Sequence, residues 1–144
     1  MGASIVLLYT AQNPEIKAVV ADSAFSSMRD TVETSIAFFT GLPPFPFAPM
    51  IVFFAERETG YSIDEVAAVD HIGTISPRPV FLMQGGADTI ISTDSGQRLY
   101  DAAGEPKELW FDPDLEHVQF VTEYPSEFEQ RVVEFFDQYL LSDS

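Results

Sequence analysis

The sequence predicts an α/β fold: a three-layer sandwich in which a short parallel sheet of about three strands is flanked by helices. Three observations predict it. Short apolar runs alternate along the chain with segments of helical period, and such alternation implies parallel strands joined by helical crossovers. The composition suits a packed chain, with 46% hydrophobic residues, 21% charged residues and 13 Phe. The length of 144 residues allows one domain, and a chain of this size buries roughly 70% of its unfolded surface.

The elements follow in order. Ala3–Gln12 reads as a helix, with Ile5, Leu8 and Tyr9 at helical spacing and Asn13-Pro14 ending it. Lys17–Asp22 is a short apolar run of the kind that forms a buried parallel strand. Ser26 or Ser27 caps the next helix, which carries Met28, Val32, Ile36 and Phe39 on one face. Pro43, Pro44, Pro46 and Pro49 then predict an apolar loop, with a short helix from about Met50 to Glu58. Asp64–Val69 suggests one further helical turn.

Pro79–Gln84 is the strongest strand signal, punctuated by Gly85-Gly86. Ser92 or Thr93 caps a helix running through Tyr100 and Ala103, and Gly104 stops it. Lys107–Asp112 alternates as a third strand, with Trp110 read as a core residue. Ser126 and Glu129 form a capping box for a last helix, whose stripe is Phe128, Val132, Phe135 or Phe136, and Tyr139. Three strands are few for an open α/β sheet, so part of the sheet is expected to lie outside this sequence.

Charge excludes several functions. Seven Lys+Arg against 23 Asp+Glu leave a net charge of −16. Such a field repels phosphate backbones and anionic membrane surfaces, so no nucleic-acid partner is expected. The bland reading of this acidity is solubility. There is no Cys, hence no disulfide frame and no thiolate nucleophile or ligand. The compartment is left at the cytoplasmic default. The N-terminus lacks the basic region of a signal peptide, and Val6 fits a myristoylation motif poorly. From Thr34 to Ala55 there is no charged residue. Four prolines in that stretch would leave carbonyls unpaired in lipid, so no stable membrane span is expected.

Sites in open α/β sheets lie at the carboxyl ends of the strands. Asp22, Asp88 and Asp112 fall there, with Asp114, Glu116 and His117 just beyond the third strand. A carboxylate beside a His fixes its tautomer and stabilises the imidazolium, as the acid of a catalytic triad does. Other candidates take bland readings. Ser4 is a helix residue without a preceding strand, Ser23, Ser26 and Ser27 cap a helix, and His71 is a structural or surface residue. Asp112, Asp114 and Glu116 lack a calcium-loop spacing, and Gly85-Gly86 lacks the Gly-Lys-Ser/Thr of a phosphate loop. No metal and no cofactor are expected.

The stretch Phe81-Leu82-Met83-Gln84-Gly85-Gly86-Ala87-Asp88, followed by Leu115-Glu116-His117-Val118-Gln119-Phe120, resembles the C-terminal half of α/β-hydrolases. The run Ile-Gly-Thr-Ile-Ser-Pro-Arg-Pro at 72–79 resembles the same family. The resemblance implies Asp88 as triad acid and His117 as base, in the family's order Ser…Asp…His. It leaves Asp22 as an alternative acid, since some members carry it after this strand. Met1-Gly2 resembles the end of the Gly-x-Ser-x-Gly elbow, which implies a nucleophilic Ser upstream and the backbone N–H of Met1 in the oxyanion hole.

The chain would then be a partial α/β-hydrolase fold over 1–144, with 40–66 a lid-like apolar insertion. Phe45, Phe47, Phe53 and Phe54 would either face an ester or related small-molecule acyl substrate as a lid or pack against missing elements or a partner, and the chain by itself would lack triad catalysis. A different class of reading is a non-catalytic module that pairs through its first strand, with a second copy or with the missing N-terminal half. A third is a small complete domain with Asp22 and Asp88 as a metal-binding carboxylate pair.

Overall fold

A computed structural model describes residues 1–141. Three parallel strands, β1 (Val19–Asp22), β2 (Val80–Gly85) and β3 (Lys107–Asp112), stand in the order β1-β2-β3. Val19 lies opposite Val80 and Asp22 opposite Met83, while Val80 faces Lys107 and Gly85 faces Asp112. Their carboxyl ends therefore share one rim.

The helices are α1 (Gly2–Gln12), α2 (Met28–Thr40), α3 (Pro44–Thr59), α4 (Ala68–His71), α5 (Ser95–Ala102), α6 (Phe120–Glu123) and α7 (Pro125–Leu140). Short 3-10 turns occupy Ile63–Glu65 and Ile72–Ile75.

Strand alternation sorts the core into two faces. Val19, Ala21, Val80 and Leu82 pack with Leu7 of α1, Ala68 of α4, Ile72, Ile75 and Leu99 of α5. Phe81, Met83 and Trp110 point the other way, onto Phe120 of α6 and Phe135 of α7. Trp110 meets Phe120 at 4.6 Å between ring centroids, and Phe81 meets Phe135 at 5.6 Å. Each such aromatic, once buried, contributes about 1.5–3 kcal/mol. The three-layer sandwich is thus α1/α4/α5, the sheet, and α6/α7.

β2 is buried at every position because it is central. β1 and β3 each have one neighbouring strand. β1 begins at Val19 rather than Lys17, since the first ladder bond runs from the Val19 amide to Pro79 and Lys17 turns its ammonium to the Pro14 carbonyl.

The helix ends follow the sequence expectation at the start of α2 and depart from it at α3, α5 and α7. α2 is capped by Ser27, whose hydroxyl accepts from the Asp30 amide at 3.2 Å. Ser26 is buried and meets Ser95 at 3.3 Å instead. The predicted proline loop is largely helical, because α3 starts at Pro44, bends at Phe45 and continues to Thr59. Pro44 and Pro46 fall where a helix amide has no carbonyl to meet, so prolines open this helix rather than prevent it.

The capping box at Ser126 and Glu129 does not form. Pro125 occupies the first helical position, Tyr124 stands at the cap, and Ser126 already lies inside the first turn. Ser92 donates to Asp94 at 2.6 Å rather than capping α5, and Asp94 holds the cap position. The short α6 had no clear sequence signal.

α3 packs on α2 outside the three layers and leaves Phe45, Phe53 and Phe54 exposed. Among the described residues no single helix is long and apolar enough to cross a membrane. The pair α2 and α3 passes that test only together, across a bend of 116°.

Candidate active site

His117 sits in the turn after β3 and Asp88 in the turn after β2. His117 Nδ1 lies 2.8 Å from Asp88 Oδ2. The Asp88 side chain is fully buried, whereas that of His117 retains 25% of its exposure. The other carboxylate oxygen, Asp88 Oδ1, accepts from the amides of Ile90 and Ile91, each at 2.8 Å. A buried carboxylate needs such donors, and three hydrogen bonds fix its plane. An acceptor at Nδ1 favours the tautomer protonated there, which leaves Nε2 as the free base.

Close backbone approach places the two turns side by side. The Ala87 amide donates to the Leu115 carbonyl at 2.9 Å, and the Gly86 amide to that of Asp112 at 2.7 Å. Beyond the ring, the Val118 amide donates to Ser23 Oγ at 3.1 Å, and Ser23 donates to Asp22 Oδ1 at 3.0 Å. Ser23 and Val118 are the two non-glycine residues of left-handed backbone among those described, at φ of 52° and 57°. For a β-branched residue this is strained, by about 1–3 kcal/mol.

Asp22 also faces this site. Burial pushes its carboxyl above the ordinary range; the Ser23 hydrogen bond and the His117 charge pull it back, and the Asp88 charge pushes it up. Asp112 turns away, accepting the Tyr124 hydroxyl at 2.9 Å and the Asp114 amide at 2.9 Å. Asp114, Glu116 and His71 are exposed. Ser4 is fully buried, and its hydroxyl accepts from the Phe25 amide at 2.7 Å and donates to the Phe25 carbonyl at 3.2 Å. Among the described residues no three His, Asp or Glu side chains are grouped to hold a metal.

A cavity of about 330 Å³ opens beside His117. Helix α2 contributes Met28, Thr31, Val32, Ser35 and Phe39; Phe25, Ile90, Ile91 and Met1 complete the lining. The face of α2 that carries Met28, Val32 and Phe39 thus lines this cavity, while Ile36 is buried. Phe45, Phe47, Phe53 and Phe54 do not reach it, and Phe45 lines a separate groove of about 240 Å³ with Arg29, Glu33 and Val52. A larger cavity, about 630 Å³, lies between Glu108 and α7, away from His117. Sequence reasoning missed Ile90 and Ile91, whose amides hold Asp88. It also missed Ser23 as a bridge to the His117 turn; a buried serine beside a strand-end aspartate was its available signal.

The fold and this rim define an α/β-hydrolase portion: the chain carries the carboxyl-terminal strands and helices of that fold. The esterase Pf2001 of Pyrococcus furiosus is similar over 96% of this chain and 50% of its own, with a TM-score of 0.71 and 25% identity. The α/β hydrolase GrgF from Penicillium sp. sh18 shares the fold at a TM-score of 0.67 and 15% identity, covering 96% of this chain and 61% of its own. The acylaminoacyl peptidase of Pyrococcus horikoshii does so at 0.70 and 14%, covering 96% of this chain and 22% of its own. Among curated proteins, the uncharacterized protein YqkD of Bacillus subtilis is 29% identical over 139 residues, 95% of this chain and 45% of its own length. The uncharacterized protein YfhR of Salmonella typhi is 28% identical over 127 residues, 87% of this chain and 37% of its own. The chain therefore spans less than half the length of these curated relatives. No family model matches it.

Proposed function

We propose that this chain supplies the acid and the base of a serine hydrolase acting on esters or related acyl compounds. The observation that carries the reading is the 2.8 Å contact between His117 Nδ1 and a buried, doubly anchored Asp88. Asp88 keeps the imidazole in the Nδ1–H tautomer. His117 Nε2 then takes the proton of an upstream Ser as that oxygen attacks the carbonyl, and returns it to the leaving group. In the second half, His117 activates water and the acyl-enzyme is hydrolysed. The backbone N–H of Met1, which lines the cavity with His117, would donate to the oxyanion.

The cavity walls favour an apolar acyl or alkyl group. We assign that wall to α2 and not to the phenylalanines of α3. We read segment 40–66 as a lid-like apolar insertion, whose helix α3 packs on α2.

The test uses a longer protein that includes the segment upstream of Met1. A fluorophosphonate should label one serine there, and His117→Ala should abolish the labelling. A folded longer protein that hydrolyses activated esters equally well without His117 would sink the proposal. The 144-residue chain alone should show no His117-dependent burst.

A second reading rests on α1 and β1. Met1, Ile5, Val6 and Tyr9 are exposed at 74%, 48%, 46% and 60%, and β1 pairs on one side only. An apolar helix face beside an open strand edge accepts another chain or another segment. Light scattering decides for a second copy: a monomer at high concentration counts against it.

A further inference from the structure

The turn that carries His117 is held unevenly. On its amino side, the Leu115 carbonyl accepts from the Ala87 amide and the Glu116 amide donates to Gln119 Oε1 at 2.8 Å. On its carboxyl side the nearest tie is the Val118 amide, and its partner is a hydroxyl 95 positions away. Ser23 is 1% exposed, so no bulk water competes for that hydroxyl.

The hydrogen-bond chemistry has one direction. An ionised Asp22 only accepts, so the single hydroxyl proton of Ser23 goes to Asp22 Oδ1. That leaves the Ser23 lone pairs turned to the Val118 N–H. The left-handed turn at Ser23 directly follows the strand, while its own amide still closes the ladder to the Met83 carbonyl at 2.9 Å. Two strained backbones thus meet at one hydrogen bond, each next to an acidic or basic residue of the site. Strain of this kind persists only where the surroundings over-determine it.

We propose that Ser23 is a positioning residue for His117: its hydroxyl, aligned by Asp22, holds the Val118 amide and so keeps the His117 imidazole turned onto Asp88. The inference rests on the hydrolase reading for its purpose, but its geometry is tested independently of any nucleophile. The Ser23 hydroxyl bonds Asp22 and the Val118 amide. It acts through the backbone of the residue that follows the base.

The experiment is ¹⁵N NMR of the histidine rings at a pH where they are neutral, together with amide exchange at Val118. The chain has two His, so His71 serves as internal reference for folding. Wild type should show His117 mainly as the Nδ1–H tautomer. Ser23→Gly suits the left-handed backbone and removes the whole hydroxymethyl group, hydroxyl included. It should shift His117 to mixed tautomers and speed Val118 exchange at least tenfold. Val118→Gly keeps the amide donor and should leave the tautomer as in wild type.

A folded Ser23→Gly protein with an unchanged tautomer and unchanged exchange overturns the proposal. Should that variant not fold, Asp22→Asn decides: it leaves the hydroxyl but loosens its alignment, and Val118 exchange should rise at least threefold. Unchanged exchange there also overturns it. Asp88→Asn separates the two readings. A tautomer indifferent to Asp88 counts against the hydrolase reading itself, whereas one that responds to Asp88 but not to Ser23 removes only the positioning role.

Discussion

The carbonyl oxygen of Leu115 occupies the space that a Cβ on Gly85 would need, and the Glu116 carbonyl would lie 2.8 Å from the same atom. The last residue of β2 is therefore a glycine because the turn bearing His117 crosses directly over it. Gly85→Ala should push that turn off the sheet. Overpacking of this kind costs about 1–3 kcal/mol, so the melting temperature should fall by several degrees. An unchanged melt, with Ala87 still bonded to Leu115 by amide exchange, would contradict the close approach.

Asp88→Asn replaces a carboxylate by an amide of nearly the same shape. In a longer protein with the hydrolase activity proposed above, it should lower kcat by about 10⁴-fold, because the imidazolium loses its counter-charge and its tautomer is no longer enforced. KM should change little. A loss below tenfold would point to Asp22 as the working acid.

Asp22 gives a pH signature. Its carboxyl is held above the ordinary range, chiefly by burial, so the folded state binds that proton more tightly than the unfolded chain. Ionising it in the fold therefore opposes folding. The penalty is absent below the ordinary carboxylate pKa, grows as pH rises through the raised value, and is complete above it. Asp22→Asn should match wild type in strong acid and melt higher at neutral pH. Thermal melts across pH check this, and a variant that gains nothing at neutral pH would show that its carboxylate is repaid by His117.

The cavity beside His117 predicts a steric switch. Val32 lies half-buried on its α2 wall. Val32→Trp should fill much of its space; in a longer protein with the proposed ester hydrolysis, KM for long-chain esters should rise while acetate esters are hydrolysed nearly as before. Equal effects on both chain lengths would place the acyl group elsewhere.

Arg78 ties α1 to the sheet. Its Nη1 donates to the carbonyls of Thr10, Asn13 and Ile16 at 2.9, 2.8 and 3.0 Å, and its Nε to that of Ile75 at 3.0 Å. A lysine carries one nitrogen and cannot reproduce this fork. Arg78→Lys should cost about 1.5–3 kcal/mol, the scale of hydrogen bonds to a charged group. Chemical denaturation measures it, and a neutral result would mean water replaces the lost donors.

The sequence by itself determined the elements whose signals are local. The apolar run before Gly85-Gly86 is β2, the alternation at Lys107–Asp112 is β3, and Asn13-Pro14 ends α1. Because strand ends in a parallel sheet share a rim, it also determined that Asp22, Asp88 and His117 lie together. Tertiary structure decided everything that depends on a partner distant in the chain. It turned Asp112 to Tyr124 and away from His117, and joined Ser23 to Val118. It set the Met28, Val32 and Phe39 face of α2 beside His117, along a cavity. It also let prolines open α3, and gave the start of α7 to Pro125 instead of a serine cap. The physical reason is that period and turn propensity act within one or two helical turns. The direction a side chain faces is settled by which surfaces remain to be covered once the sheet has formed.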